Sequence, residues 1–287
     1  MSGPDRASDT LVAVAERAAA QARAENFPVA LRLLPRAARS QLARVYRFAR
    51  FVDAVGDTTE GDRLALLALV EADVVRLDAG STPRLTPVAG LAPVIAAGVP
   101  MQPFLDLVAA NVRDQHVTRY ESFDALLGYC AVSAVPVGRI VLHLAERAGD
   151  ERNRAESDCV CSALQVLEHC QDVREDARAG RVYLPAEDLR AAGVTDADLV
   201  SSTTSPALRS VVAAQVSRAE DLLRSGRPLV RRLGGWSRFA VAGYVAGGWA
   251  TADALRKHDF DVLGQAIGPA RPRVAGHALR LLAVRYA

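Results

Sequence analysis

This 287-residue sequence predicts an all-α, single-domain helical bundle, on three observations. Ala, Leu, Val, Arg and Glu recur at helical spacing along most of the chain. Hairpin signals are almost absent. The breaks between helical runs are short, and none is long enough for a flexible domain linker. Half of the residues are hydrophobic, which supplies a large core. One domain over 1–287, with residues 1–10 flexible, is expected.

Helices are expected over roughly 9–24, 36–55, 61–77, 101–115, 121–133, 136–148, 153–178, 206–224 and 229–256, with one more near the C-terminus. Met1 to Thr10 is polar and lacks the apolar core of a signal peptide. In 36–55, Phe48, Phe51, Val52 and Val55 suit a core-lining face. The run from Asp78 to Pro83 ends the third helix. The apolar stretch Val135 to Leu144 has no partner strand nearby and reads as helix. Ser225 to Pro228 and Gly268 to Pro272 break the later runs. Phe239 to Ala252 is too short to cross a membrane and reads as a buried helix.

Net charge is +2 and aromatics make up 5%, a poor match to a nucleic-acid binder. Cys130, Cys159, Cys161 and Cys170 contain no C-x-x-C pair, so zinc-ribbon and thioredoxin readings fail. Their apolar helical settings suggest reduced core or near-core residues in a cytoplasmic protein.

Two acidic repeats carry the chemistry: Asp53-x-x-x-Asp57 and Asp172-x-x-x-Asp176. Residues four apart share a helix face, with Cβ atoms roughly 5–6 Å apart. Each pair can aim two carboxylates at one point. Two such pairs on facing helices would build an oxygen-only cage, suited to Mg²⁺ completed by substrate phosphates. Tyr46, Arg50, Asp53 and Asp57 fall on one face, and an Arg one turn away can bind a phosphate that the metal also holds. Against this stands a solvated face with an ion pair worth under about 1 kcal/mol.

In the second helix, Glu168, Asp172 and Asp176 stand in steps of four. Like charges at that spacing cost a few tenths of a kcal/mol each, and bound cations would relieve the repulsion. The alternative is an acidic face neutralised by Arg174, Arg178 and Arg181. His169, beside the stripe, and His143 read as packed or exposed helix residues rather than ligands. Arg224, Arg227, Arg231 and Arg232 form a basic cluster, read as a solvated loop ahead of an anionic-lipid contact.

Glu25-Asn-Phe-Pro-Val-Ala30, Tyr46-Arg-Phe-Ala-Arg50, Asp53-x-x-x-Asp57, Val117-Thr-Arg-Tyr120, Pro136-Val-Gly-Arg139 and Gln171-Asp-Val-x-Glu-Asp176 followed by Gly180 to Asp188 together resemble the squalene/phytoene synthase family. The resemblance spans roughly residues 20–265, and the run from Ala163 to Leu189 is its specific part. The opening motif and Gln171 look most like the hydroxysqualene synthases of bacterial hopanoid biosynthesis.

The resemblance implies a class I isoprenoid synthase fold around a central apolar cavity, with Mg²⁺-assisted departure of diphosphate. It implies that Asp53 and Asp57 ligate metal on one wall and Asp172 and Asp176 on the other. Tyr46 and Arg50 would contact the diphosphate, and Gln165, Glu168, Arg181 and Tyr183 fall at substrate-binding positions of the motif. Ala54, Glu168, Gln171, Leu31 and Val135 depart from the family pattern. Gln171 stands where head-to-head synthases usually place an Arg, which fits an enzyme handling one diphosphate.

The implied reaction converts presqualene diphosphate and water to hydroxysqualene and pyrophosphate. Phe48, Phe51, Val132, Val137, Leu164 and Leu167 are the expected apolar wall. Gly234-Gly235 and Gly247-Gly248 lack a preceding strand, so no nicotinamide fingerprint is present. Two rivals stand beside this reading. One is a head-to-head prenyl synthase joining two prenyl diphosphates. The other is a catalytically silent lipid-binding or assembly protein. The expected location is the cytoplasm, with transient contact at a membrane surface left open.

Overall fold

The described residues of this computed structural model, 3–24 and 34–283, form sixteen α-helices and one isolated parallel β-bridge. The expectation of an all-α chain holds. Two compact units divide the chain: Met1–His116 with Ile140–Glu146, and Val117–Arg139 with Arg147–Ala287. The opening motif, residues 25–30, and Leu31 lie outside the described residues.

The first unit holds α1 (Gly3–Ala24), α2 (Arg36–Asp57), α3 (Arg63–Asp78), α4 (Thr86–Ala89), α5 (Ala92–Ala96) and α6 (Gln102–Asp114). Its core gathers Phe48, Phe51, Leu67, Leu91 and Phe104, with Phe48 edge-on to Phe104 at 5.6 Å. Burying each such side chain stabilises by roughly 1.5–3 kcal/mol. Asp62 caps α3 by accepting the Ala65 N–H at 3.0 Å. Asp73 is buried, and its carboxylate accepts the N–H groups of Arg84 and Leu85, each at 2.8 Å. Those bonds satisfy the carboxylate and fix the chain that leads into α4.

The second unit holds α7 (Phe123–Ser133), the start of α8 (Val135–Leu144), α9 (Glu151–Gln171), α10 (Val173–Arg178), α11 (Ala186–Ala191), α12 (Asp196–Leu199), α13 (Pro206–Gly226), α14 (Leu229–Arg232), α15 (Gly235–Lys257) and α16 (Arg271–Ala283). Asp150 caps α9 and Ser205 caps α13. Small residues let helices approach α9. A Cβ at Gly138 of α8 would stand 2.5 Å from both Cys161 Sγ and Ser157 Oγ. One at Gly226 would meet Val160 Cγ2 at 2.5 Å and the Glu156 carbonyl at 2.6 Å. One at Gly248 would meet Leu164 at 3.0 Å and Leu223 at 3.1 Å.

Several boundaries differ from expectation. α1 starts at Gly3 rather than residue 9, and α8 ends at Leu144 rather than 148. The single helix expected over 153–178 breaks at Asp172, and that over 229–256 breaks at Leu233 and Gly234. There the backbone is extended before Gly235 takes a φ of +52°, which favours glycine. The Gly234-Gly235 pair is therefore a helix break, not helix interior. The one-turn helices α4, α5 and α12 and the six-residue α11 carry too little periodicity to read.

All four cysteines are free. Burial pushes the thiols of Cys130, Cys161 and Cys170 up to about 12, so they stay protonated and inert. Among the described residues no single helix is long and apolar enough to cross a membrane; only the bent pair α7–α8 passes on length and composition. Phe239 is 57% exposed, against the expectation of a wholly buried segment.

Gly226→Ala should lower stability by about 1–3 kcal/mol, because the backbone of α9 cannot yield to the new methyl. Thermal melting should fall by several degrees, at about 2–4 °C per kcal/mol. An unchanged melting temperature would show that α9 and α13 are not held this closely.

Candidate active site

In the first unit, Tyr46, Arg50 and Asp53 are half-buried along α2, and Asp57 is exposed at its end. Both acids stand in the last turns of α2, at the negative end of the helix dipole, and no basic residue occupies the last turn. That is an unfavourable place for two carboxylates unless a cation joins them. Asn111 of α6, itself buried, donates from Nδ2 to Asp53 Oδ1 at 3.2 Å and to the Leu107 carbonyl at 3.2 Å. Gly56 makes room for this contact: a Cβ there would stand 2.2 Å from Asn111 Oδ1. Gln115 ties the same helices, donating to the carbonyls of Gly56 and Asn111 at 3.1 Å each. Ala54, where many relatives of the resembled family carry a second consecutive acid, rests partly buried against the apolar core.

The second acidic segment crosses the break between α9 and α10. Asp172 has φ −99° and ψ 14°, yet its N–H still donates to Glu168 O at 3.0 Å, and Asp176 N–H to Asp172 O at 2.8 Å. The stripe thus continues through the break. Burial pushes the Asp172 carboxyl up to about 6, helped by the charges of Glu168, Asp176 and Glu175, with His169 opposing. No arginine contributes to that balance, and Arg174 turns away to donate to the Ser201 carbonyl at 2.6 Å. Arg174 and Arg178, two arginines of the alternative reading, line the same hollow as Asp172.

His169 is 7% exposed and stacks on Tyr183, with ring centroids 3.8 Å apart. Its Nδ1 faces Asp176 Oδ2 at 3.7 Å, and its Nε2 lies 3.2 Å from the Gln165 amide nitrogen. An Nδ1–H tautomer accepts from Gln165 and presents its proton to Asp176. The histidine is packed, as expected, but it also links Gln165 to an acid of the stripe. The signal for it was the spacing of His169, four residues after Gln165 and seven before Asp176.

Tyr183 reaches this stack through two extended segments. Val182 N–H donates to Thr118 O at 2.8 Å and Ala186 N–H to Tyr120 O at 2.9 Å. Tyr120, Tyr129, His169 and Tyr183 form one aromatic cluster. Asp188 anchors the following turn, bound by Arg218 at 2.5 Å and Gln215 at 2.7 Å. Arg181 is half-buried just before it, and Glu168 is exposed.

Gln171 donates its amide to the Ile267 carbonyl. It stands with Asp172 on a hollow of about 590 Å³ bordered by residues 262–267. Phe48, Phe51 and Leu167 are fully buried, whereas Val137 is 39% exposed and does not serve as a buried wall. Leu164 packs toward α15.

Among the described residues no three His, Cys, Asp or Glu side chains are gathered as a ready-made metal cluster. The carboxylate pairs fit a different binding style. Mg²⁺ commonly takes one or two carboxylates and completes its shell with water and substrate phosphates. The crowded, oxygen-only donors around Asp172 fit such a cation, and Asp53 with Asp57 offers the same donor type.

Comparison with known proteins matches residues 20–276 to the squalene/phytoene synthase family model. The hydroxysqualene synthase of Rhodopseudomonas palustris is 35% identical over 215 residues, covering 74% of this chain and 72% of the relative. That of Zymomonas mobilis is 36% identical over 211 residues, covering 70% and 68%. The crystal structure of squalene synthase HpnC from Alicyclobacillus acidocaldarius matches with a TM-score of 0.78 at 33% identity, covering 88% of this chain and 98% of that one.

The Asp172 carboxyl, at 3.8 in its ordinary state and about 6 in the fold, gives a signed pH effect. Because the folded value is raised, its favourable contribution is complete below the ordinary value and lost as pH rises through the folded one. Asp172→Asn cannot ionise. In EDTA it should melt above wild type at about pH 8 and level with it near about pH 4. A difference that stays constant across that range would contradict the raised value.

Proposed function

The chain belongs to the squalene/phytoene synthase family, and from that premise we propose that it converts presqualene diphosphate and water to hydroxysqualene and pyrophosphate. Its fold is the all-α class I isoprenoid synthase type, and it is an isoprenoid synthase acting on prenyl diphosphates. The finer reading is carried by its likeness to two hydroxysqualene synthases over more than two thirds of each. Gln171 supports it: a neutral amide committed to a backbone carbonyl offers no cation to a second diphosphate.

In this reading Asp53, Asp57, Asp172 and Asp176 hold Mg²⁺. When bound, Mg²⁺ supplies Lewis-acid neutralisation of charge growing on the departing diphosphate. Asn111 orients Asp53, and His169, fixed by Gln165 and the Tyr183 ring, orients Asp176. Arg50 and Arg181 add fixed positive charge for the same oxygens, and Tyr46 donates to them. Glu168 raises the negative potential at Asp172 and so favours cation binding. Loss of pyrophosphate leaves a cyclopropylcarbinyl cation that rearranges and opens. Water adds to it and loses a proton, giving the alcohol. Buried apolar residues such as Phe48, Phe51 and Leu167 keep stray water away until then. The protein is proposed to work in the cytoplasm as one synthase domain.

The second reading is a head-to-head synthase joining two prenyl diphosphates. It is favoured by the squalene synthase named in the similar crystal structure. A catalytically silent lipid-binding protein is the reading of another class. Added Mg²⁺ with pyrophosphate should raise the melting temperature of a synthase, since a ligand of the native state stabilises it. No shift would favour the silent protein.

Purified protein incubated with presqualene diphosphate and Mg²⁺, without NADPH, should yield hydroxysqualene by mass analysis. Formation of squalene, or of presqualene diphosphate from farnesyl diphosphate, would reject the proposal. Asp172→Asn should abolish Mg²⁺-dependent pyrophosphate release with helicity intact; unchanged turnover would remove the site. Asn111→Ala should weaken apparent Mg²⁺ affinity or turnover by about 10–100-fold. An unaltered Mg²⁺ titration would deny Asn111 its orienting role.

A further inference from the structure

The fold splits the basic cluster at the end of α13. Arg224 pairs with Glu220 at 3.5 Å and with Asp221, and Arg232 pairs with Glu156 at 3.0 Å. Arg227 and Arg231 share a further feature. With Arg280 of α16 they border a hollow of about 260 Å³ that Trp249 of α15 also lines. Among the described residues no carboxylate lines it. His277 at its edge is held by Asp253 at 2.9 Å, outside the lining. Three arginines thus border one concavity with Trp249 beside them. This arrangement joins residues more than fifty positions apart in the chain.

The surrounding surface is unusual for a purely solvated patch. α16 carries Arg271, Arg273 and Arg280 and buries none of its residues fully. Leu279, next to Arg280, is 68% exposed, and Phe239 is exposed on α15. A basic helix resting on the surface with large apolar side chains beside its arginines has the make-up of an interfacial helix. An indole paired with cationic groups suits the boundary between water and lipid. A free anion would be satisfied by the arginines alone and would need neither Leu279 nor Phe239 in solvent.

We propose that the hollow bordered by Arg227, Arg231, Arg280 and Trp249 is a docking site for the phosphate headgroup of an anionic phospholipid. The arginines donate to the phosphate oxygens, and the exposed apolar side chains of α15 and α16 enter the headgroup boundary. This inference stands on the pocket and does not depend on which reaction the chain catalyses.

The test is sedimentation of the full chain with vesicles of phosphatidylcholine alone or mixed with phosphatidylglycerol. Wild type should bind the mixed vesicles and not the neutral ones. The variant Arg227→Gln/Arg231→Gln/Arg280→Gln should lose more than about tenfold in affinity. A control of equal net charge, Arg84→Gln/Arg152→Gln/Arg190→Gln, alters exposed arginines elsewhere and should stay within about threefold of wild type. Circular dichroism should show both variants folded. No binding by wild type, or equal losses in the two variants, would overturn the proposal. So would a melting-temperature rise with inorganic phosphate in wild type, absent from the pocket variant, without vesicle binding. That last result would assign the pocket to a free anion.

Discussion

Carboxylates crowded on a half-buried helix face repel one another, and the second unit holds such a group. Asp172 feels burial together with the charges of Glu168, Asp176 and Glu175, and only His169 opposes them. A bundle built for stability alone has no use for this charge density. A divalent cation reverses the sign of the interaction, converting mutual repulsion into shared attraction. The acids at the end of α2 show the same logic, placed at the unfavourable end of a helix dipole. In the proposed function, the cost of holding these groups together is the counterpart of a capacity to bind metal diphosphate.

The rest of each unit fixes where those carboxylates point. In the first unit, Gly56 lets α6 approach closely enough for Asn111 to reach Asp53. In the second, Gly138, Gly226 and Gly248 let three helices close on α9, the helix that delivers the acidic stripe. The extended pairing of residues 118–121 with 182–187 brings Tyr183 onto His169. That stack sets the imidazole plane and so the atom facing Asp176. Much of the specific run from Ala163 to Leu189 is thereby explained by packing around the acids.

On the proposed function, Gln171 separates two chemistries with a single side chain. A guanidinium at its position would bring a permanent charge toward a second diphosphate. The amide instead closes on the Ile267 carbonyl beside the hollow next to Asp172. In the proposed reaction, selectivity within the family rests on what this residue withholds. The basic hollow bordered by Arg227, Arg231, Trp249 and Arg280 is a separate feature of the same unit.

The sequence by itself determined the all-α class, most of the long helices, the two aspartate pairs, the inert cysteines and the family. These are local properties: helical periodicity, i, i+4 spacing and short motifs are complete within a few turns. Tertiary structure alone decided the breaks at Asp172 and Gly234, the role of Asn111 and the regrouping of the arginines. Asn111 lies 58 residues from Asp53, and nothing in its own helix marks it as that carboxylate's partner. His169 stood between these cases, its spacing legible but its stacking on Tyr183 not. The raised proton affinity of Asp172 was likewise out of reach, because burial comes from helices packed around it and spacing reports only the charges along its own.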